Sequence, residues 1–244
     1  MTATGLYVYG VVGAGHPCRL AGLTGVGGPA RSVAAGPVTA VVGDATPGLR
    51  AKRRHLAAHH AVVESLARQG TVLPMRFGVV SPDEETLRRE LTTGADRYQA
   101  LLSELAGRVE LNVKAFPDEE WMLREVVRHE PTVRALRSRA SVSLPAQVEL
   151  GQAVAAALAT RQSAVARDVL ARLEPLAVRS QQGPPVPGCA VNAGFLVEAG
   201  RAGAFAAEVD ALRRELDAGV ALRCTGPLPA YSFVTDGGAS RWAS

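Results

Sequence analysis

Apolar positions recur along the chain with two periods, near 2 and near 3.6, and these separate strands from helices. Leu6-Tyr7-Val8-Tyr9-Gly10-Val11-Val12 is β-branched and aromatic and predicts a strand. Gly13 to Pro29 is rich in Gly and Pro and reads as a loop. Ser32 to Ala35 and Val38 to Val42 flank Gly36-Pro37 and read as a hairpin. Arg50 to Arg68 predicts a helix with Leu56, Val63 and Leu66 on its buried stripe. Gly70 stops it, at a position where positive φ is common. Thr71 to Val80 is extended. Pro74 has no N–H to give a ladder, so this strand is interrupted or lies at an edge.

The next helix predicts Ser81 as N-cap, Pro82 at N1 and Glu84 at the capping-box position. Leu87, Leu91, Tyr98, Leu101, Leu102 and Leu105 form its stripe, and Gly107 ends it. Arg108 to Phe116 alternates, with Val109, Leu111, Val113 and Ala115 on one face. Pro117-Asp118 opens a helix to about Arg128, Pro131 closes it, and Thr132 to Ser143 is an arginine-bearing connector. Ala146 to Leu173 predicts a long alanine-rich helix with Val154, Leu158, Val165, Val169 and Leu173 inward. A Gly/Pro loop, Gln182 to Gly188, precedes a strand (Ala190 to Glu198), a helix (Arg201 to Asp217) and a strand (Val220 to Cys224). A last short strand is expected over Tyr231 to Val234, and a frayed tail from Asp236. This order predicts an α+β protein of two small domains, with helices on one face of antiparallel or mixed sheets. The expected divisions are an N-terminal domain over 1–116, a helical connector over 117–145 and a C-terminal domain over 146–244.

Composition adds little against this picture. Apolar residues are 47% and charged residues 20% of 244, which suits a globular chain. The net charge is +4, and Lys52 and Lys114 are the two lysines beside 25 arginines. The charge is spread along the chain and no long basic block appears, so the nucleic-acid footprint is weak. Cys18, Cys189 and Cys224 are too sparse for a disulfide framework or a zinc site and suit a reducing compartment. The N-terminus has no basic region before its apolar run, and that run is too short to span a bilayer. A cytosolic location is the expectation.

Candidate chemistry is scarce. His55 and His59 share a helix face at i, i+4, but a metal needs a further ligand, and Lys52, Arg53 and Arg54 disfavour a cation. His59 and His60 are expected to bond to backbone or to a carboxylate. Cys189 and Cys224 read as small hydrophobes at strand ends. Asp83-Glu84-Glu85 and Asp118-Glu119-Glu120 sit at helix starts, where carboxylates suit the dipole. Gly13-Ala14-Gly15 lacks the third glycine of a dinucleotide fingerprint, and Gly22 to Gly28 lacks a phosphate-loop lysine. Tyr7, Tyr9 and Phe77 are candidate base-stacking aromatics without a basic partner motif. The reading is a protein that binds other proteins, with no catalytic residue, cofactor, metal or nucleic acid.

Six stretches in register resemble the gas vesicle protein F/L family. They are Gly5-Leu6-Tyr7-Val8-Tyr9-Gly10-Val11, Ala58-His59-His60-Ala61-Val62-Val63-Glu64, Thr71-Val72-Leu73-Pro74-Met75-Arg76-Phe77-Gly78, and Gly107-Arg108-Val109-Glu110-Leu111-Asn112-Val113-Lys114. Asn192-Ala193-Gly194-Phe195-Leu196-Val197 and Arg223-Cys224-Thr225-Gly226-Pro227-Leu228-Pro229-Ala230-Tyr231-Ser232-Phe233 complete the set. The resemblance implies ferredoxin-like α+β elements, no catalysis, and an accessory or minor structural role in building the gas vesicle in the cytoplasm. It implies as partners the small, very apolar major shell protein and other gas vesicle accessory proteins, with no lipid membrane involved. It leaves F-type against L-type membership open. Pro74, Arg76 and Phe77 are the expected protein-binding residues: Pro74 keeps an edge from closing, and Arg and Phe are good anchors. The competing reading puts Phe77 in the core.

Overall fold

The computed structural model describes residues 5–140, 143–216 and 219–234. The tail expected from Asp236 lies outside these residues. The contacts divide the chain into two units: 1–110 with 227–244, and 111–226. This differs from the expected division at both ends. Helices over Glu119–His129 and Pro131–Ala140 put the described part of the expected connector within the second unit, and the chain from Pro227 returns to the first.

The first unit holds β1 (Leu6–Gly13), a small hairpin of β2 (Thr24–Gly25) and β3 (Gly28–Pro29), then β4 (Arg31–Ala35) and β5 (Val38–Asp44). α1 (Arg53–Gln69), β6 (Val72–Pro74), β7 (Val80–Ser81), α2 (Glu84–Thr93) and α3 (Ala95–Leu105) follow. The main sheet runs β4-β5-β1-β6, with β7 also on β1, and β1 pairs antiparallel with β5, β6 and β7. A register shift between Val8 and Gly10 leaves Tyr9 as an extra residue against β5. Such a bulge switches the parity of the strand. Tyr7, Tyr9 and Val12 therefore all join the core under α1, with Val62, Val63 and Leu66. Leu87, Leu91, Tyr98, Leu102 and Leu105 of α2 and α3 are buried outside that cluster, and both helices contact the same sheet.

Local chemistry corrects several boundaries. The expected single helix over 82–106 is two, broken at Gly94, where a Cβ would lie 2.9 Å from the Tyr98 ring. Its cap is Asp83, whose carboxylate accepts from the Thr86 N–H at 2.6 Å; Ser81 donates to the Asp83 carbonyl. Gly70 has φ 165°, which is extended backbone, so positive φ is not its reason. A Cβ there would meet His16 at 2.9 Å, and His16 Nε2 is itself bonded to the Leu66 carbonyl. Leu56, expected inward, is 43% exposed, and His59 takes its place on the buried stripe.

The second unit takes in most of β8 (Arg108–Pro117), α4 (Glu119–His129), α5 (Pro131–Ala140), α6 (Leu144–Leu173), β9 (Arg179–Gln182), β10 (Val191–Glu198), α7 (Ala202–Glu215) and most of β11 (Val220–Leu228). The expected connector is thus helical as far as Ala140, and Pro131 opens α5 where closure alone was expected, as proline suits a first helical turn. The sheet runs β11-β8-β10-β9, which is fourth-first-third-second of a βαββαβ order and ferredoxin-like. Val165, Val169 and Leu173 of α6 and Phe205, Val209 and Leu212 of α7 pack on one face against Leu111, Val113, Phe195 and Val197. The Phe195 and Phe205 rings are 5.2 Å apart. β11 continues through Gly226-Pro227 to Leu228, and Tyr231–Phe233 forms a 3-10 turn in place of the expected strand. No described helix is long and apolar enough to cross a membrane.

Candidate functional site

The segment expected to bind protein begins on β6. Gly10 stands opposite Pro74, and a Cβ on Gly10 would lie 2.9 Å from both the Leu73 carbonyl and Val72 Cγ2. Glycine here lets β6 approach β1. The Met75 N–H then donates to the Tyr9 carbonyl at 2.9 Å. β6 ends the sheet order, and Pro74 is buried within it.

Beyond Met75 the chain turns at Arg76-Phe77-Gly78, with Gly78 at φ 95°. Both sides of this turn are held from below. His59 Nε2 lies 3.0 Å from the Met75 carbonyl oxygen, which only accepts, so Nε2 carries the proton. Nδ1 is then the acceptor, and the Tyr7 hydroxyl donates to it at 2.9 Å. The Gly78 N–H donates in turn to the Tyr7 oxygen at 3.2 Å. One tyrosine and one histidine, 52 residues apart in sequence, therefore clamp the turn that carries Arg76 and Phe77.

The clamp is built from buried groups. Tyr7 is fully buried and His59 is 4% exposed. Burial holds the His59 imidazole down to about 4, against the opposing pull of the Met75 hydrogen bond. It pushes the Tyr7 phenol up to about 12. Both groups are therefore neutral across the ordinary pH range. Phe77 is half-buried, its ring 5.9 Å from both Tyr7 and His59, and so forms part of this cluster. Arg76 points outward, exposed, with no side-chain partner among the described residues.

Tyr231 from the returning C-terminal segment closes the cluster, its ring 6.4 Å from that of His59. Its hydroxyl is buried without a partner among the described residues, and burial raises its pKa. The segment is anchored next door. Glu110, 4% exposed, accepts from the Ser232 N–H at 2.9 Å and from its hydroxyl at 2.6 Å. Burial raises the Glu110 pKa while these bonds lower it.

The other sequence candidates separate from this site. Tyr7 and Tyr9 are fully buried, which removes them as base-stacking residues. Tyr9 instead accepts the Val26 N–H at 2.6 Å. His60 faces Glu64 at 3.1 Å, and His55 Nδ1 donates to the Arg50 carbonyl at 2.9 Å. Both ring nitrogens of His59 are used, so it does not join His55 at a metal. The Cys189 thiol donates to the Val191 carbonyl at 2.7 Å. Sequence reasoning missed the roles of Tyr7 and Tyr231. Their signal was the alternation of Tyr7 and Tyr9 on an all-apolar strand, and a tyrosine after two prolines.

Comparison with known proteins places the chain in a family. The family described as gas vesicle synthesis protein GvpL/GvpF matches residues 5–235. The chain belongs to that family. It is 37% identical to gas vesicle protein F of Streptomyces sp. (strain CB03234), over 93% of this chain and 98% of that one. It is 29% identical to gas vesicle protein L of the same strain, over 93% and 92%. The crystal structure of GvpF from Anabaena sp. PCC7120 superposes with a TM-score of 0.83 at 25% identity, covering 95% of this chain and 98% of that one. GvpF from Microcystis aeruginosa shares the fold, with a TM-score of 0.79 at 23% identity over 95% and 99%. As a GvpL/GvpF member the chain has a role in gas vesicle formation. Tyr7, His59 and the 71–78 segment all fall within the stretches that first suggested the family.

Proposed function

We propose that the protein acts during gas vesicle assembly, in the cytoplasm at the growing vesicle, by binding the apolar shell subunit and other gas vesicle proteins without catalysing a reaction. Arg76 makes the contact, and Pro74 and Phe77 hold it in place from the buried side. What supports this reading is one observation: Arg76 is exposed, and unpaired among the described residues, on a turn whose two sides are clamped by Tyr7 and His59. A pre-ordered loop loses little entropy on binding, and arginine is a frequent hot-spot residue. An unassembled shell subunit exposes apolar surface, which makes a holding partner physically useful.

The test is co-expression with a tagged shell subunit. The wild-type chain should co-purify with it, and the Arg76→Glu chain should be depleted about tenfold at unchanged thermal stability. Equal recovery of a folded Arg76→Glu chain would refute the assignment of Arg76. Phe77→Ala is a poorer probe, because Phe77 also packs on the clamp.

A further inference from the structure

Arg50, Lys52, Arg53 and Arg54 place four cations within five positions at the start of α1, and all four are exposed. Among the described residues none of them pairs with a carboxylate. Arg54 donates to His55 Nε2 at 3.1 Å, and His55 is held by the Arg50 carbonyl, so the segment is ordered without an anion. Several arginines elsewhere do have carboxylate partners. Arg31 and Arg88 share Glu84, Arg97 faces Glu90, and Arg172 reaches Glu208 and Glu215. The α1 cluster gains nothing for folding, since four like charges repel and the first helical turn favours acids.

A second observation lies one turn on. Leu56 is 43% exposed on a helix that otherwise turns Val62, Val63 and Leu66 inward. Residues three and four apart are neighbours on a helix surface, so Leu56 adjoins Lys52 and Arg53. The patch is thus basic with an aliphatic flank. α1 carries no aromatic apart from its histidines, and so offers no platform of the kind that stacks bases. Arginine forks match carboxylates in bidentate geometry.

We propose that this surface docks an acidic, leucine-bearing segment of a partner protein, the cations taking its carboxylates and Leu56 its apolar side chain. It goes beyond the Arg76 contact, because it requires different residues and selects a partner of different chemistry.

The test uses the full chain and three labelled probes: a glutamate/leucine amphipathic peptide, its glutamine/leucine counterpart, and a single-stranded oligonucleotide of matched charge. The acidic peptide should bind, and weaken about tenfold between about 50 and about 300 mM salt. Binding should be lost in the variant combining Arg50→Glu, Lys52→Glu, Arg53→Glu and Arg54→Glu. It should fall about fivefold in Leu56→Ser, where every charge remains. The glutamine peptide should not bind. Arg76→Glu should leave acidic-peptide binding intact, which separates failure here from failure of the shell contact. If the quadruple variant melts early, the paired Arg53→Gln and Arg54→Gln changes should still weaken binding. Equal binding to wild type and the charge variants, no dependence on Leu56, or tighter binding of the oligonucleotide than of the peptide would each overturn the proposal.

Discussion

The Tyr7 hydroxyl donates to Nδ1 of His59 across 2.9 Å, and through that one bond a strand and a helix jointly fix the turn between them. Tyr7 receives the Gly78 N–H and His59 gives its own proton to the Met75 carbonyl. A buried polar pair is stabilising only when each atom finds a partner, and here each does. The relay converts two core residues into a support for the exposed Arg76.

Breaking the relay should cost stability in graded amounts. Tyr7→Phe leaves the Gly78 N–H and His59 Nδ1 unpaired and should cost about 1–2 kcal/mol. His59→Ala also opens a cavity and should cost about 2–4 kcal/mol. Urea unfolding of the two single variants and the double variant should give non-additive losses, since the residues share one bond. Strict additivity would show that the pair is not coupled.

The clamp also predicts a pH dependence. His59 titrates near 6.5 when unfolded and at about 4 when folded. Its folded value is depressed, so the unfolded state binds the proton first. The contribution of neutral His59 is complete above pH 6.5 and declines as pH falls towards 4, by up to about 3 kcal/mol. The stability advantage of wild type over His59→Gln should therefore shrink across that window in urea titrations. An advantage constant from pH 7 to pH 4.5 would contradict the placement of His59.

Glu110 should behave with the opposite sign. Burial raises its folded pKa above the unfolded 4.5. Its protonated form contributes fully below pH 4.5, and that contribution is lost as pH rises through the folded value. Glu110→Gln keeps the shape and an acceptor for Ser232 while removing the charge. Thermal melts should show this variant gaining on wild type as pH rises from 4 to 7.

Gly10 tests the approach of β6 to β1. In Gly10→Ala the new methyl meets backbone at Leu73, which has no side-chain freedom to yield. A loss of about 1–3 kcal/mol is expected. Amide exchange should accelerate at Met75 and Gly78, whose N–H groups bond to Tyr9 and Tyr7. Unchanged protection at both amides would show that the turn does not depend on this contact.

Much of this architecture was legible in the sequence because its elements are amphipathic and well punctuated. β1, the β4–β5 hairpin, α6, β10 and α7 follow directly from period and breaker residues. β9 escaped because Arg179-Ser180-Gln181-Gln182 has no apolar alternation; it exists only by pairing with β10. The return of the chain from Pro227 to the first unit escaped because Glu110 and Ser232 are 122 residues apart. Leu56 and His59 exchanged expected roles for a similar reason. Helical spacing alone favours the leucine inward, but Tyr7 and the Met75 carbonyl offer the imidazole two hydrogen bonds. The 71–78 segment was visible as a motif, whereas the clamp beneath it needs the tertiary fold.

The most direct test of the central claim places a photo-crosslinking amino acid at position 76 in cells that are building gas vesicles, with a second probe at the exposed Gln162 of α6. The account predicts an adduct with the shell subunit from position 76 and little from position 162. Adducts of equal yield from both positions, or none from position 76 in a folded chain, would contradict it.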